Sequence, residues 1–225
     1  MQRVYLSWSS GKDSAWALER LRQTPGIEVL GLVTTVNRTH GRVAMHAVRE
    51  QLLELQAAAV GLPLEVIDLP WPCPDGTYEE LMASFVERAT GAGATHMAFG
   101  DLFLEDIRKY REERLAGTGL EPLFPLWGID TSALARDMTR PLAEGGLETW
   151  LTCVDPAQVP AELAGRRYDR ELVAELEALG ADPCGENGEF HSFVVDGPGF
   201  AHRIDVQLGE VVTRDSFVFA DLLPA

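Results

Sequence analysis

The 225-residue sequence predicts an α/β fold, in which a parallel sheet with crossover helices is followed by a smaller α+β domain. Through the first half of the chain, short apolar segments alternate with segments of helical spacing, which is typical of a parallel sheet. This rhythm changes after residue 120, so we predict two domains, 1–120 and 121–225. The hydrophobic content of 46% suffices for a full core in a chain of this length.

The first domain opens with the apolar run Val4 to Leu6, which ends in a Ser/Gly loop. Ala15, Leu18 and Leu21 follow at helical spacing, so the order is strand, loop, helix. Further strands are predicted over 27–35, 64–69 and 95–99, and further helices around 52–59, 81–89 and 103–115. The prolines of the segment 70–74 stop regular structure, because proline lacks a backbone donor and fixes φ.

The second domain has a different order of elements. A helix is predicted over 131–144, a strand over 148–154, and then a helix with Leu172, Leu176 and Leu179 on one face. Two late strands are predicted over 193–195 and 202–211.

Composition limits the classes of partner. The net charge of −16 makes nucleic acid an improbable partner, since a broad grip on phosphates needs clustered Lys and Arg. No apolar stretch is long enough to cross a bilayer and no signal peptide is recognisable, so we expect a cytoplasmic protein without membrane contact. Cys73, Cys153 and Cys184 are far apart, which predicts reduced thiols rather than disulfides or a zinc site. A homo-oligomer is compatible with the sequence.

The loop after the first strand reads Ser9-Ser10-Gly11-Lys12-Asp13-Ser14. We expect Gly11 to let backbone N–H groups approach an anion, Lys12 to add a positive charge at the helix N-terminus, and the three serine hydroxyls to bind phosphate oxygens. The loop is not a GxxxxGK[ST] P-loop, because Leu6 stands where glycine is needed and Asp13 follows the lysine. An aspartate beside phosphates indicates a shared divalent cation, which predicts Mg²⁺ at Asp13.

A second polar segment, Cys184 to Phe193, reads CGENGEFHSF and precedes a predicted strand. It brings together Glu186, Asn187, Glu189 and His191 between glycines. If residues 189–193 are extended, Glu189 and His191 share one face, which places an acid beside a proton shuttle.

These two segments carry a resemblance. The loop is similar to the S-G-G-K-D-S loop of the N-type ATP pyrophosphatases, in the adenine nucleotide alpha hydrolase superfamily. Ser10 departs from that pattern by replacing its first glycine, which should cost little if position 10 has a negative φ and which supplies another hydroxyl. The late segment resembles the G-E-N-G-E-F-H element of the diphthine-ammonia ligase family. Three further stretches agree with that family, namely Met45-His46, Phe99-Gly100-Asp101 and Pro122 to Trp127.

The resemblance implies a Rossmann-like, HUP-type fold and an ATP-dependent ligase that forms AMP and pyrophosphate. A substrate carboxylate would be activated as an acyl-adenylate and attacked by ammonia or an amine. The residues expected to bind ATP are Ser9, Ser10, Gly11, Lys12, Asp13, Ser14, Thr34 and Gly100. Expected catalytic residues are Lys12, Asp13, Glu186, Glu189 and His191, and expected substrate-binding residues are His46, Asp101 and Asn187. Domain 1–120 would bind ATP and domain 121–225 the second substrate, so changes at Glu189 or His191 are expected to spare ATP affinity.

Two other functions stay open at this point. A tRNA thiolase or lysidine-type ligase shares the loop. Thiolation, however, would need paired reactive cysteines, and RNA binding would need a basic face. An ATP-sensing module would leave the late segment unexplained. The helix over 103–115 adds one more open choice, because Arg108, Arg111 and Arg114 recur about once a turn and form either a solvated face or the wall of a phosphate site.

Overall fold

The computed structural model describes residues 1–37, 42–43 and 48–225. The elements up to residue 123 are β1 Gln2–Ser7, α1 Lys12–Gln23, β2 Ile27–Asn37, β3 Arg42–Val43, α2 Glu50–Val60, β4 Leu64–Leu69, α3 Asp75–Gly91, β5 His96–Ala98, α4 Glu105–Leu115 and β6 Glu121–Leu123. They are followed by α5 Thr131–Met138, β7 Glu148–Val154, α6 Arg170–Leu179, β8 Phe190–Asp196, β9 Val206–Arg214 and β10 Phe217–Pro224. Short 3₁₀ turns lie at Leu142–Glu144 and Ala161–Leu163.

The first sheet confirms the predicted parallel sheet with crossover helices. Its parallel strands run in the order β4-β2-β1-β5-β6, and the short β3 pairs antiparallel with the end of β2. Strand β1 is central, and both Val4 and Leu6 are fully buried. The strand order reverses at β1, because the chain proceeds to β2 on one side and later returns to β5 on the other. A crevice at such a reversal, at the carboxyl ends of the strands, is where open α/β sheets bind ligands.

Strand β6 lies beyond the predicted domain boundary at residue 120. Met97 of β5 pairs with Pro122 of β6 in the parallel sheet, so this sheet extends to Leu123. The strand has only three residues and contains a proline, which is why its sequence does not indicate a strand. The division into 1–120 and 121–225 stays a prediction.

The second sheet is antiparallel, in the order β8-β7-β10-β9, which confirms the smaller α+β unit. Strand β7 matches its predicted range. Strand β8 begins at Phe190, earlier than predicted, and β9 is displaced to Val206–Arg214. Strand β10 was not predicted, and the helix expected over 131–144 ends at Met138. Pro141 accounts for that early end, because it cannot donate an intrahelical hydrogen bond.

The two sheets share one hydrophobic core. Helix α1 packs on β1 and β2 of the first sheet and on β8 of the second. A single cluster of buried side chains continues from β1, α1 and α2 into β7, β8 and α6. A separate cluster, which includes Phe85 and Met97, fills the space under α3 and α4 on the other face of the first sheet. No helix among the described residues is long and apolar enough to cross a membrane.

Candidate active site

A cavity of about 750 Å³ opens at the carboxyl end of β1, at the reversal of strand order. Four loop and strand segments form most of its walls, together with residues of α3 and α4. The lining residues include Ser9, Lys12, Asp13 and Ser14 of the first loop, Val33, Thr34 and Thr35 of β2, Phe99, Gly100 and Asp101 after β5, and Cys184, Gly185, Glu186, Asn187, Gly188, Phe190, His191 and Ser192 of the late segment. The fold therefore brings the two segments singled out in the sequence to one cavity.

Helix α1 begins at Lys12, directly against the second sheet. The backbone N–H of Lys12 donates to Ser192 Oγ at 3.2 Å, and Gly11 has no side chain to cap the helix. A Cβ atom on Gly11 would lie 3.2 Å from the Ser192 carbonyl oxygen and 3.3 Å from its hydroxyl. Gly11 does not line the cavity. Its glycine therefore permits close packing on β8, which differs from the predicted approach of backbone to phosphate.

Ser10 also differs from the expectation. Its φ is +74°, in the left-handed region, so the condition under which a serine would cost little is not met. The residue is fully buried and does not line the cavity, and its hydroxyl has no hydrogen-bond partner among the described residues. A hydroxyl in that position does not face a phosphate in the cavity, and the serine bears a backbone cost that glycine would avoid.

Lys12 is enclosed rather than exposed. Its side chain is 2% exposed, and Nζ donates to the two Asp13 carboxylate oxygens at 2.8 and 3.0 Å and to the Cys184 carbonyl oxygen. Nζ also lies 5.2 Å from the ring centre of Phe190 and 5.7 Å from that of Tyr168. Burial is the largest single influence and lowers the pKa of Lys12, but the attraction of Asp13 and of the other acidic groups nearby together outweighs it, so the pKa of the lysine is raised. The cation is therefore held between the first loop and the late segment.

Asp13 is the partner of that cation and lies on the cavity wall. Its side chain is 27% exposed, and burial raises its pKa despite the attraction of Lys12. Ser14 donates to the Gly11 carbonyl oxygen at 2.9 Å and lies 3.3 Å from the hydroxyl of Ser9. These two serine side chains line the cavity and can turn their hydroxyls to an anion.

Glu186 reaches back to the first sheet. Its Oε1 atom accepts a hydrogen bond from the Leu102 N–H at 2.7 Å. Burial raises the pKa of Glu186 to about 7, and the neighbouring carboxylates Asp13 and Asp101 raise it further, while that hydrogen bond opposes the shift. A carboxyl group on the cavity wall with a pKa near neutrality can accept and release a proton at the pH of the cell.

Glu189 does not share the cavity wall with His191, and the predicted placement of the two side chains on one face stays a prediction. It is 3% exposed, and its carboxylate accepts hydrogen bonds from the Asp182 N–H at 3.0 Å, the Asn187 N–H at 3.0 Å and Asn187 Nδ2 at 3.1 Å. It does not line the cavity. Strand β8 begins at Phe190, and the Glu189 carbonyl oxygen still accepts the Asp155 N–H at 2.9 Å, just beyond the end of β7. Its position supports a role in holding the late segment together rather than the predicted catalytic one.

His191 and Asn187 both line the cavity. Burial lowers the pKa of His191 to about 4, and Lys12 adds to the shift. The imidazole is therefore neutral at pH 7, where it can exchange hydrogen bonds but is a weak base. Asn187 directs its amide nitrogen to Glu189.

Gly100 and Asp101 come from the end of β5. A Cβ on Gly100 would lie 3.1 Å from the Asp13 carbonyl carbon and 3.2 Å from the Ser14 nitrogen, so a glycine lets this loop lie against α1. Asp101 Oδ2 lies 3.6 Å from Arg111 Nε, an ion pair too long for a hydrogen bond. Burial raises the pKa of Asp101, and Arg111 partly offsets that effect.

The three arginines of α4 have different surroundings. Arg111 lines the cavity, whereas Arg108 lies over Phe124 and Trp127, with its guanidinium carbon 5.0 and 4.8 Å from their ring centres. Arg114 pairs with Glu79 at 2.7 Å, away from this cavity. One arginine of the three is thus part of the site wall. His46, predicted to bind substrate, lies outside the described residues.

Sequence reasoning missed Ser192 and Gln56. Gln56 is fully buried, and its Nε2 donates to the carbonyl oxygens of Ser10 at 3.0 Å and Val194 at 2.6 Å. Its Oε1 accepts from Trp8 Nε1 at 2.9 Å. A signal was present, because Gln56 is a polar residue one turn from Leu52 on the apolar face of a helix. Ser192 carries no comparable signal.

Comparison with known proteins relates this arrangement to one family. The model described as "Diphthamide synthase N-terminal domain" matches residues 2–120, and the model described as "Diphthamide synthase C-terminal domain" matches residues 135–220. A diphthine–ammonia ligase from Danio rerio is 27% identical over 77% of this chain and 72% of its own length. Among solved structures, a protein described as a predicted subunit of tRNA methyltransferase from Methanocaldococcus jannaschii matches 88% of this chain and 100% of its own, at 16% identity and a TM-score of 0.41. That structural likeness is too low to carry an inference about function.

Proposed function

Since the chain belongs to the diphthamide synthase family, we propose that it is an ATP-dependent ligase, similar to diphthine-ammonia ligase, that joins ammonia or an amine to a substrate carboxylate. The observation that carries the proposal is the shared cavity. The ATP loop and Glu186, whose pKa is about 7, lie on its walls at the reversal of strand order.

The chemistry proceeds in two steps. A carboxylate oxygen attacks the α-phosphorus of ATP, the bond from that phosphorus to the bridging oxygen breaks, and pyrophosphate leaves with the electron pair. The acyl carbon of the acyl-adenylate is then attacked by ammonia, its bond to the phosphate oxygen breaks, and AMP leaves. The attacking nitrogen loses one proton as the amide forms. A ligase therefore needs a cation for the phosphates and an acceptor for that proton.

Glu186 is the best candidate for the proton acceptor. Its pKa of about 7 lets it take a proton at neutral pH, and it lies on the wall formed by the late segment. The imidazole of His191, with a pKa of about 4, is a much weaker base and is better suited to orient the amine. Lys12 would bind the phosphates, and the end of β2 at Thr34 would lie against the adenine.

The residues of this cavity would hold Mg²⁺ together with the phosphates of ATP rather than by themselves. The described residues contain no group of three metal-ligating side chains, but Mg²⁺ is usually held by one or two carboxylates, water and substrate phosphates. Asp13 and Asp101, whose carboxylate pKa values burial raises, line the cavity and would supply those carboxylates. When bound, the ion offsets the negative charge of the phosphates. Lys12 and Arg111, the cations of the chain at this wall, already face the carboxyl groups of Asp13, Asp101 and Glu186.

The cysteines do not favour the thiolase alternative. Burial raises the pKa of Cys153 and of Cys184 to about 12, so both are thiols at neutral pH. A sulfur-transfer enzyme needs a reactive thiolate. No observation favours the ATP-sensing alternative over the ligase.

Analysis of the products tests the ligase. The chain is incubated with ATP, MgCl₂, ammonium chloride and a small-molecule extract of cells, and the nucleotides are separated by ion-exchange chromatography. AMP and pyrophosphate are expected in equal amounts, whereas ADP and phosphate as the main products would exclude the proposal.

A lysine pair tests the binding assignment. Lys12→Met should weaken binding of α,β-methylene ATP by about tenfold or more, because it removes the charge at the helix N-terminus. Lys109→Met is the matched control, since Lys109 is 75% exposed and belongs to neither loop. Isothermal titration gives both affinities, and thermal denaturation confirms that both variants are folded. Equal losses in the two variants would remove Lys12 from the ATP site.

A further inference from the structure

A second cavity, of about 340 Å³, lies between α3 and α4. Its inner wall is apolar and includes Met82, Val86, Met97, Phe99 and Leu115. Its outer rim is polar, with Glu79 paired to Arg114 at 2.7 Å. This volume lies at the lower end of the range for small-molecule sites, and an apolar interior with few polar groups is typical of such sites.

The second cavity adjoins the active-site cavity. Five residues line both of them, and together they form a partition: Tyr78, Met82, Met97, Phe99 and Arg111. Met97 and Phe99 come from β5 and the residue that follows it, immediately before Gly100 and Asp101 of the active site. A molecule in the second cavity would therefore have one end at the wall of the active site.

Arg111 provides the charged group of this partition. Its guanidinium carbon lies 4.7 Å from the ring centre of Phe99. Its Nε and the Oδ2 atom of Asp101 are buried and make no hydrogen bond with the described residues, since the distance between them is 3.6 Å. A buried guanidinium N–H that lacks an acceptor is costly, and a carboxylate ligand would supply that acceptor. Within the described part of the chain, Arg111 thus keeps an unfilled N–H donor beside its ion pair with Asp101, whereas Arg114 at the rim makes a close ion pair with Glu79.

We propose that the second cavity is the acyl subsite of the ligase, that its substrate is a carboxylate bearing an apolar group, and that Arg111 binds the carboxylate. The apolar group lies between α3 and α4, and the carboxylate lies at the partition, facing the ATP loop across the active-site cavity. The assignment as an acyl subsite rests on the proposed ligase function. The apolar lining excludes a small polar acid such as acetate as the preferred ligand, because it would leave Met82 and Val86 without a contact.

A set of probes of known structure tests this subsite. Binding of 3-phenylpropionate, 3-phenylpropanol and acetate to the full chain is measured by isothermal titration, with and without α,β-methylene ATP. We expect 3-phenylpropionate to bind about tenfold or more tighter than acetate, because its ring enters apolar surroundings. It should also bind about tenfold tighter than the alcohol, since only the carboxylate pairs with Arg111.

Three variants locate the binding. Ala83 is exposed and lines only the second cavity, so Ala83→Phe fills that cavity without entering the core. This variant should weaken the binding of 3-phenylpropionate by about tenfold or more. Its affinity for α,β-methylene ATP should stay within about twofold of that of wild type. The matched control is Glu80→Phe, because Glu80 is exposed on the same helix and lines neither cavity. Arg111→Gln should abolish the preference for the acid over the alcohol.

Several results would overturn the subsite. Equal affinity for 3-phenylpropionate and acetate would show that the cavity takes no apolar acid. An equal loss of 3-phenylpropionate binding in Glu80→Phe would place that binding elsewhere. A loss of α,β-methylene ATP affinity in Ala83→Phe as large as the loss of 3-phenylpropionate would assign the cavity to the adenine. The ligase proposal is tested separately, and it fails if ADP and phosphate are the products. That result would not change the site at which 3-phenylpropionate binds.

Discussion

Replacement of Ser10 by glycine is expected to stabilise the protein. Ser10 is a non-glycine residue at φ +74° in the loop before α1, and its buried hydroxyl has no partner among the described residues. Both features act against the folded state. The left-handed conformation costs a residue with a Cβ about 1–2 kcal/mol, and an unsatisfied buried hydroxyl costs about 1–3 kcal/mol.

The flexibility of glycine offsets part of the stability that is gained when both costs are removed. Its greater freedom in the unfolded chain costs about 0.5–1 kcal/mol. The net expectation for Ser10→Gly is a gain of about 2 kcal/mol in the free energy of unfolding, which for a chain of this size raises Tm by roughly 4–8 °C. Ser10→Ala separates the two causes, because it removes the hydroxyl but keeps the Cβ. Its gain should be smaller than that of glycine by about 0.5–1 kcal/mol.

Urea denaturation, followed by far-UV circular dichroism, measures all three proteins. The expected order of midpoints is Ser10→Gly above Ser10→Ala above wild type, with equal m-values. Equal stability of the two variants would refute the cost of the left-handed conformation. A variant Ser10→Ala less stable than wild type would show that the hydroxyl makes a favourable contact.

Three other changes test the site. The kcat for amide formation of wild type, divided by that of Glu186→Gln, should rise about tenfold from pH 6 to pH 8. The reason is that a base with a pKa of about 7 loses its proton across that interval. A ratio that does not change with pH would exclude Glu186 as the base. That raised pKa also means that wild type loses stability as pH rises from about 4.5 to 7, so Glu186→Gln should have the higher Tm at pH 8. Gln56→Leu should lower the free energy of unfolding by about 2–4 kcal/mol in urea, since it removes a buried donor to two carbonyl groups and the acceptor of the buried Trp8 indole N–H, whereas the exposed Gln51→Leu should not. Glu189→Gln should lower it by about 1–3 kcal/mol through the loss of an acceptor in the late segment, and equal Tm values would contradict this structural role.

The first sheet was predictable because its strands are local patterns. The run from Leu64 to Leu69 has four aliphatic residues and is bounded by prolines, and its strand has those limits. Strand β10 was missed although it has eight residues, because its partners β7 and β9 lie elsewhere in the sequence and decide its pairing. Strand β6 was missed for a related reason, since a three-residue strand with a proline is defined by its neighbour β5. Local patterns therefore indicate elements, while pairing depends on contacts that the sequence does not display.

The site was predictable in its segments but not in its geometry. The loop and the late segment carry motifs, and the fold brings them to one cavity. The roles inside each segment depend on backbone conformation. Glycine at position 11 serves packing on Ser192, and Glu189 accepts hydrogen bonds from Asp182 and Asn187 instead of lining the cavity. Neither fact follows from residue type and spacing.

The contacts of the loop from Ser9 to Ser14 argue against two separable functions. The Lys12 N–H binds Ser192, 180 residues away, and the Lys12 ammonium binds the Cys184 carbonyl, 172 residues away. The Ser10 carbonyl accepts the Val194 N–H at 3.1 Å. Strand β8 therefore holds the backbone of the loop, and the late segment ahead of this strand holds the cation, so a change that loosens the late segment also alters the environment of Lys12. The expectation that Glu189 and His191 variants spare ATP affinity stays a prediction, and of the two His191 is the better place to test it, because its imidazole lines the cavity whereas Glu189 holds the segment that binds the lysine.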